Sequence, residues 1–581
     1  MNMVTVTIDN KEISVPKGTT VLEAAKQIGV HIPTLCYLKD INEFGACRMC
    51  LVEVEGVNRL LTSCILEATD GMKIKTNNKK IRQARKDNLE LILSNHDRKC
   101  LTCSRNTNCE LQSLCDDLGI RDIEFEGENT KYEIDYSSPS IVRDNNKCIL
   151  CGRCVAVCDK VQHVGILGFK DRGFKTHIGQ PFDKKLSESP CIGCGQCINV
   201  CPVGALHEKE EIDNVWEAIA DDTKHVVVQT APAVRAALGE EFGLEMGTPC
   251  TGKMVAALKR LGFDKVFDTD FAADLTIMEE GTELLGRLKN NGVLPMITSC
   301  SPGWINYCEH FYPDFIPNLS TCKSPHQMMG AVLKSYYAEK QNIDPKEIYV
   351  VSVMPCTAKK GEAIRPELSH NGLQDVDSVI TTRELAKMIK AARVDFMALE
   401  DEEFDPVLGE STGAAVIFGA TGGVMEAALR TVAEVVTGET LEKLEFEAIR
   451  GLEGIKEASV TLGDLTVNVA VAHSTGQAAK LLDMVRSGEK SYHFIEVMGC
   501  PGGCVTGGGQ PIVSPEVRND VDVKTARAKA LYTEDSNKAI RKSHENPMIK
   551  KIYEEYFEEP NSHRSHELLH THYEEKEKYP L

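Results

Sequence analysis

The chain has 581 residues, 42% of them hydrophobic, and a formal net charge of −20, which argues against nucleic acid and anionic membrane as partners. At about 150 residues per domain it is long enough for roughly four domains. It has no run of about 18 apolar residues that would cross a membrane, and its start, MNMVTVTIDNKEI, lacks the basic, apolar and small-residue succession of a secretory signal, so a cytoplasmic location is expected. The 23 cysteines are clustered with metal-ligand spacing, mostly in the first 201 residues, which reads as metal binding rather than a disulfide framework.

Residues 4–8 and 11–15 alternate apolar and polar around Asp9-Asn10, a hairpin signal. Thr20 and Glu23 have the spacing of a capping box, opening a helix with Val21, Ala24, Ala25 and Ile28 on one face and Gly29 at its end. Cys36, Cys47, Cys50 and Cys64 follow at spacings x10, x2 and x13, and four such thiolates hold a 2Fe-2S cluster. Residues 1–79 thereby resemble the β-grasp ferredoxin domain at the front of large redox enzymes. Four structural cysteines or a zinc are the bland alternative.

Residues 80–95 have a helical period, with Ile81, Leu89, Ile92 and Leu93 apolar. His96-x3-Cys100-x2-Cys103-x5-Cys109 comes next and resembles a His/Cys3-ligated 4Fe-4S site, placing that domain at 80–119; Cys115 is the rival fourth ligand. A neutral imidazole in place of a thiolate makes such a site less negative and raises its potential. An acidic connection then leads to Cys148-x2-Cys151-x2-Cys154-x3-Cys158, repeated as Cys191-x2-Cys194-x2-Cys197-x3-Cys201-Pro202. This duplicated run defines a two-cluster bacterial ferredoxin domain over 138–209. The fourth cysteine of each run ligates the other cluster, so one cubane takes Cys148, Cys151, Cys154 and Cys201, and the other takes Cys158, Cys191, Cys194 and Cys197.

From 210 to 520 short apolar strands (225–229, 293–298, 348–354, 467–473, 493–498) alternate with helical stretches such as 381–393 and 423–436, which predicts an α/β domain with largely parallel sheets. Three strands run straight into Cys300, Cys356 and Cys500. Sites in open α/β sheets gather beyond the carboxyl ends of strands, so these three ends are expected to converge. The glycines around Cys500 and Cys504 let backbone approach a bulky ligand closely. Two nucleotide-loop decoys are set aside: Gly247 to Lys253 has P-loop spacing but Met254 where Ser or Thr belongs, and 418–424 lacks a full dinucleotide fingerprint.

The segments TSCSPGW (298–304), MPCTAKK (354–360) and EVMGCPGGC (496–504) resemble the three signatures of the [FeFe]-hydrogenases, and the accessory motifs stand in the same order, so the resemblance covers about 1–520. It is nearest to the catalytic subunit of multimeric NAD(P)-linked enzymes. It implies a multidomain α/β protein with one 2Fe-2S cluster, three accessory 4Fe-4S clusters and an H-cluster, a cubane joined to a diiron CO/cyanide/azadithiolate unit. Cys356, Cys500 and Cys504 are then cubane ligands. This chain departs at the fourth ligand, Cys300-Ser301 standing where the family has two cysteines. Ungapped counting puts Cys300 at a proton-relay position and Ser301 at the ligand position. A shift by one residue makes Cys300 the ligand, favoured because thiolate is the normal cubane ligand, and gives Ser301 to the relay.

The resemblance also implies that Glu280, Glu283, Ser320 and Arg287 carry protons, that Lys359 faces a cyanide ligand, and that Met354, Met498, Ala231, Pro232, Pro325 and Phe418 wall the pocket. Without it, Glu283 and Arg287 read as a surface i,i+4 pair and Lys359 as a solvated lysine. Residues 521–581, with His563, His566, His570 and His572, are expected to dock on the domain or a partner rather than bind metal. No nicotinamide site is legible, so a flavin- and NAD(P)-binding subunit, a small 2Fe-2S subunit and ferredoxin are the expected partners in a hetero-oligomer. Rival readings are an electron-transfer subunit, a hydrogen sensor, or a relative of NADH or formate dehydrogenase large subunits.

Overall fold

The computed structural model describes residues 2–125, 127–406, 408–441, 443–451, 453–462 and 465–579. The hairpin forms as Met3–Ile8 against Lys11–Pro16, with Asp9 and Asn10 at φ 46° and 68° in the turn. It joins Lys73–Lys75, Leu51–Val54 and Leu61–Thr62 in a five-stranded sheet. The helix Val21–Gln27 packs on this sheet with Thr20 accepting from the Glu23 amide. The helix Lys79–Ser94 buries Ile81, Leu89 and Leu93, as its period demands. The two-cluster segment is closed by the antiparallel pair Ile141–Arg143 and Leu206–Glu208.

The large domain contains two four-stranded sheets. The first runs Lys265–Asp268, His225–Thr230, Ile348–Met354 and Ser378–Thr381, all parallel. The second runs Met296–Ile297, Phe494–Met498, Leu465–His473 and Ile455–Leu462, with only the last pair antiparallel. The apolar stretch 293–298 contributes just two strand residues, since Pro295 has no amide to give the ladder. Helices cover both sheets. The longest, Thr269–Lys289, is buried along most of its length. The C-terminal residues are not a loose tail: Ile549, Ile552, Tyr553, Phe557, Leu568 and Leu569 belong to the main core. No helix is long and apolar enough to cross a membrane among the described residues.

The two decoy loops have structural partners. Lys253 donates to the carbonyls of Met397 and Leu399. The amides of Gly422 and Met425, at the start of the helix Gly423–Thr437, both donate at 2.7 Å to the buried Glu496 carboxylate, so an internal anion already occupies that helix terminus.

Candidate active site and electron path

The two sheets direct their carboxyl ends at one cavity. It is lined by Cys300, Ser301, Cys356, Cys500 and Cys504, together with Lys359 and six expected wall residues, Ala231, Pro232, Pro325, Met354, Phe418 and Met498. Every wall residue expected from the sequence is therefore present. The cavity is also lined by His326, which no sequence signal singled out. The glycines are needed here: Gly503 has φ 98°, and a Cβ on it would lie 2.7 Å from the Thr421 amide nitrogen. An iron assembly held by thiolates fits this setting. Burial raises the Cys356, Cys500 and Cys504 thiols, and the charges of Cys356 and Cys504 both bear on Cys500. Thiols so disfavoured as free thiolates are what a cluster's positive iron would stabilise.

Cys300 and Ser301 point to different neighbours. The Cys300 thiol is raised by burial and then by the charge of Glu280, with Lys359 opposing. Ser301 Oγ instead accepts from the Gly499 amide at 3.1 Å, beside Cys500. Lys359 is buried, not solvated: its Nζ donates to Ser324 Oγ at 2.8 Å, Glu362 Oε2 at 2.7 Å and the Cys300 carbonyl at 3.2 Å. Its neighbour Lys360 is also buried, against Glu384 at 3.1 Å. His326 holds Glu362 from the other side, Nδ1 at 2.9 Å, with Nε2 on Ser352 at 2.7 Å. Burial pushes Glu362 up, but the Lys359 charge and His326 bring it down to about 2.

The helix Thr269–Lys289 carries Glu280 and Glu283 on one face. Glu280 is pushed up to about 8, by burial first and by the Glu283 charge second, with the Ser320 hydroxyl opposing. Ser320 Oγ donates to Glu283 Oε2 at 2.9 Å. Arg287 meets Glu283 at 2.6 Å and donates to the Leu319 carbonyl at 2.7 Å. The two side chains are only 12% and 14% exposed, so this is an anchored pair rather than a free surface one.

The cysteines of the duplicated run are brought together in two sets. One small cavity is lined by Cys148, Cys151, Cys154 and Cys201, another by Cys158, Cys191, Cys194 and Cys197. In the first domain the thiols pair two and two: Cys36 with Cys47, and Cys50 with Cys64 at 3.3 Å. The partner's hydrogen bond lowers Cys36 to about 6 and Cys50 to about 7. Two irons needing two thiolates each fit this pattern. Around the third motif, His96, Cys100, Cys109 and Cys115 line one cavity. His96 Nδ1 is buried without a hydrogen-bond partner, and Cys103 Sγ packs where a side chain on Gly204 would stand.

These sites are stitched into a line. Gln162 Nε2 donates to the Gly499 carbonyl at 2.9 Å, and Thr357 Oγ1 to that of Gly193 at 2.7 Å, joining the second cubane site to the large cavity. Behind the first cubane site the line forks. Asn42 Nδ2 donates to the carbonyls of both Cys36 (2.7 Å) and Cys151 (3.1 Å), while Arg105 of the histidine-containing segment donates to that of Cys201 at 3.0 Å.

The comparisons with known proteins agree with this arrangement. Residues 224–508 match the C-terminal domain of the iron-only hydrogenase large subunit, and 521–576 match the iron hydrogenase small subunit. The front matches a 2Fe-2S cluster-binding domain (1–79), the NADH-ubiquinone oxidoreductase-G iron–sulfur region (85–124) and a 4Fe-4S dicluster domain (147–205). The chain belongs to the iron-only, or [FeFe], hydrogenases, as a catalytic subunit with N-terminal iron–sulfur domains for electron transfer. It is 52% identical to the NADP-reducing hydrogenase subunit HndD of Solidesulfovibrio fructosivorans over 99% of both chains, and 46% identical to iron hydrogenase 1 of Clostridium pasteurianum over 98% of this chain and 100% of that one. Among solved structures, a variant of HydA1 from Chlamydomonas reinhardtii is 43% identical with a TM-score of 0.58, covering 64% of this chain and 100% of its own. The small-subunit match was not legible in the sequence, because no cysteine motif marks it.

Proposed function

We propose that the chain interconverts H2 with two protons and two electrons at an H-cluster held by Cys356, Cys500 and Cys504, with Ser301 at the fourth cubane position and Cys300 as the first proton relay. The reading that makes Cys300 the ligand is the weaker one, because the Cys300 thiol feels the charge of Glu280 ahead of that of Cys504, while the Ser301 hydroxyl accepts from the amide of Gly499, the residue before Cys500. The diiron unit, when bound, supplies the site at which H2 is cleaved or formed. The protein's part is to exclude water with Met354, Met498 and Phe418, to hold Lys359 toward the cavity through Glu362 and His326, and to move the proton. The proton route is Cys300, Glu280, Ser320, Glu283 and then solvent beside Arg287. Its members lie within hydrogen-bond reach at Ser320 and Glu283.

The observation that carries this reading is the convergence of three strand ends on one cavity lined by all four cysteines. One 2Fe-2S and three 4Fe-4S clusters carry the electrons, the His96, Cys100, Cys103 and Cys109 set holding the third of these. The fork at the first cubane site offers two exits, and the likeness to an NADP-reducing hydrogenase subunit favours a cytoplasmic hetero-oligomer. In it a flavin- and NAD(P)-binding subunit and a small 2Fe-2S subunit take electrons, with ferredoxin as the second carrier. The test is the chain matured with the diiron cofactor. It should evolve H2 from a reduced dye, show CO and cyanide infrared bands, and fail to reduce NAD(P) alone. Infrared bands without turnover would instead identify a sensor.

A further inference from the structure

The C-terminal segment brings an unassigned ligand set to the proton route. Residues 569–571 lie antiparallel to 321–323: Cys322 pairs with His570, Lys323 N–H donates to the Leu569 carbonyl at 2.8 Å, and Thr571 N–H to that of Thr321 at 2.7 Å. This register puts the His570 imidazole beside Glu283 and Cys322. One ligand atom from each of the three lies within 4.8 Å of the other two, and Cys322 Sγ is 3.8 Å from Glu283 Oε2. The His570 ring is already oriented, Nδ1 against Thr321 Oγ1 at 2.8 Å and Nε2 against Glu279 Oε2 at 3.2 Å.

We propose that Glu283, Cys322 and His570 form a binding site for a soft divalent cation, Zn2+, and that its occupation blocks proton transfer. Thiolate, imidazole and carboxylate from three separate segments are zinc's ligand types. One His570 nitrogen exchanges its present partner for zinc, and the hydrogen bond that stays on the other is the orienting kind that zinc ligands carry. Three carboxylates, Glu283, Glu280 and Glu279, press on the Cys322 thiol, so the local potential favours a cation. Thr321, which is exposed, leaves a way in from solvent. On binding, the Cys322 thiol proton leaves to solvent, a zinc–sulfur bond forms, and no electrons move. The same event draws the Glu283 carboxylate off Ser320 Oγ. This step rests on the reading of Glu283 as a relay.

The experiment uses the full matured chain, ZnCl2 with MgCl2 as control, and iron content as a check on the clusters. Zn2+ should lower H2 evolution by about ten-fold or more, the order of one proton-transfer step, and a chelator should reverse it. Zinc-edge X-ray absorption should show a single sulfur near ~2.3 Å with nitrogen and oxygen near ~2.0 Å. Cys322→Ser should remove the sulfur signal and His570→Gln the imidazole signal, and both should keep basal turnover while losing the inhibition. Inhibition and spectra unchanged in both variants would overturn the proposal, as would no zinc bound at all. Zinc bound with the expected spectrum but without inhibition would leave the site standing and overturn the relay role of Glu283.

Discussion

Ser320 Oγ donates to Glu283 Oε2 at 2.9 Å, and the same hydroxyl bears on Glu280, one helical turn away. A single hydroxyl thus links two carboxylates that burial and mutual repulsion make unequal. Glu280 is held up to about 8, so near neutral pH it carries a proton. Glu280→Gln keeps the shape and removes the titrating group. Turnover should fall by about 10²- to 10⁴-fold, the range of a proton-transfer group, with infrared bands and iron content unchanged. The variant also tests the pKa through stability. Folded Glu280 binds a proton up to about 8, whereas an unfolded glutamate releases it near 4.5. The wild type therefore loses stability as pH rises through that window, because the folded state binds more protons there. Glu280→Gln should flatten this loss in thermal melts recorded across the same window.

Cys300 and Ser301 are separable by iron content. Cys300→Ala should leave the cubane's electron paramagnetic signal in place and cut turnover by at least about 10²-fold. Ser301→Cys should alter that signal and slow iron loss to a chelator, since thiolate binds iron better than a hydroxyl does. Loss of the cubane in Cys300→Ala would return Cys300 to the ligand position.

How much of this was legible from the sequence follows from distance along the chain. Three of the four cysteines assigned to each cubane lie a few residues apart on one loop, so the spacing of the duplicated run, with the exchange of its fourth cysteines, sorted the two sets. The central strands are buried on both faces and read as unbroken apolar runs. What was missed depends on partners far away. Gln162 and Gly499 are 337 residues apart, Arg383 and Glu208 are 175 apart, and Gly422 and Glu496 are 74 apart. Without the resemblance Lys359 reads as solvated, because of the groups that bury it only Glu362 is a near neighbour, while Ser324 and the Cys300 carbonyl come from other elements. Burial of a charge is a property of the assembled fold, not of its local sequence.

Glu496 serves as the internal anion for the helix Gly423–Thr437 and thereby fixes the loop behind Phe418 and Gly503. Glu496→Ala leaves two buried amides unpaired, at about 1–3 kcal/mol each. Melting temperature should fall and cofactor loading, measured by infrared band intensity, should fall with it. Glu496→Gln keeps an acceptor and should lose less on both counts.

Arg383 ties the ferredoxin segment to the catalytic domain. It pairs with Glu208 at 2.8 Å and donates to the Gly508 carbonyl at 2.7 Å, on the loop that follows Cys504. Burial pushes Glu208 up, but Arg383 overrides it and holds the carboxyl well below its ordinary value. Arg383→Ala leaves that buried carboxylate only the Lys387 ammonium, 3.8 Å away, and should cost up to about 3–5 kcal/mol, the loss on breaking a buried pair. Because its folded pKa is depressed, the stability Glu208 contributes is present above the unfolded value and is lost as pH falls. The variant should therefore lose its extra acid sensitivity along with its overall stability.

Asn42 bridges the 2Fe-2S motif and the first cubane motif by donating to a carbonyl of each. Asn42→Leu removes both donors and leaves two carbonyls unpaired beside the clusters. After mixing with H2 and freezing, the 2Fe-2S signal should appear several-fold more slowly than in wild type, while the first cubane reduces at its usual rate. H2 evolution from a dye that reaches the cubanes directly should not change. An unaltered 2Fe-2S reduction rate would mean that electrons enter that domain by another route, and the fork drawn at Asn42 would be wrong.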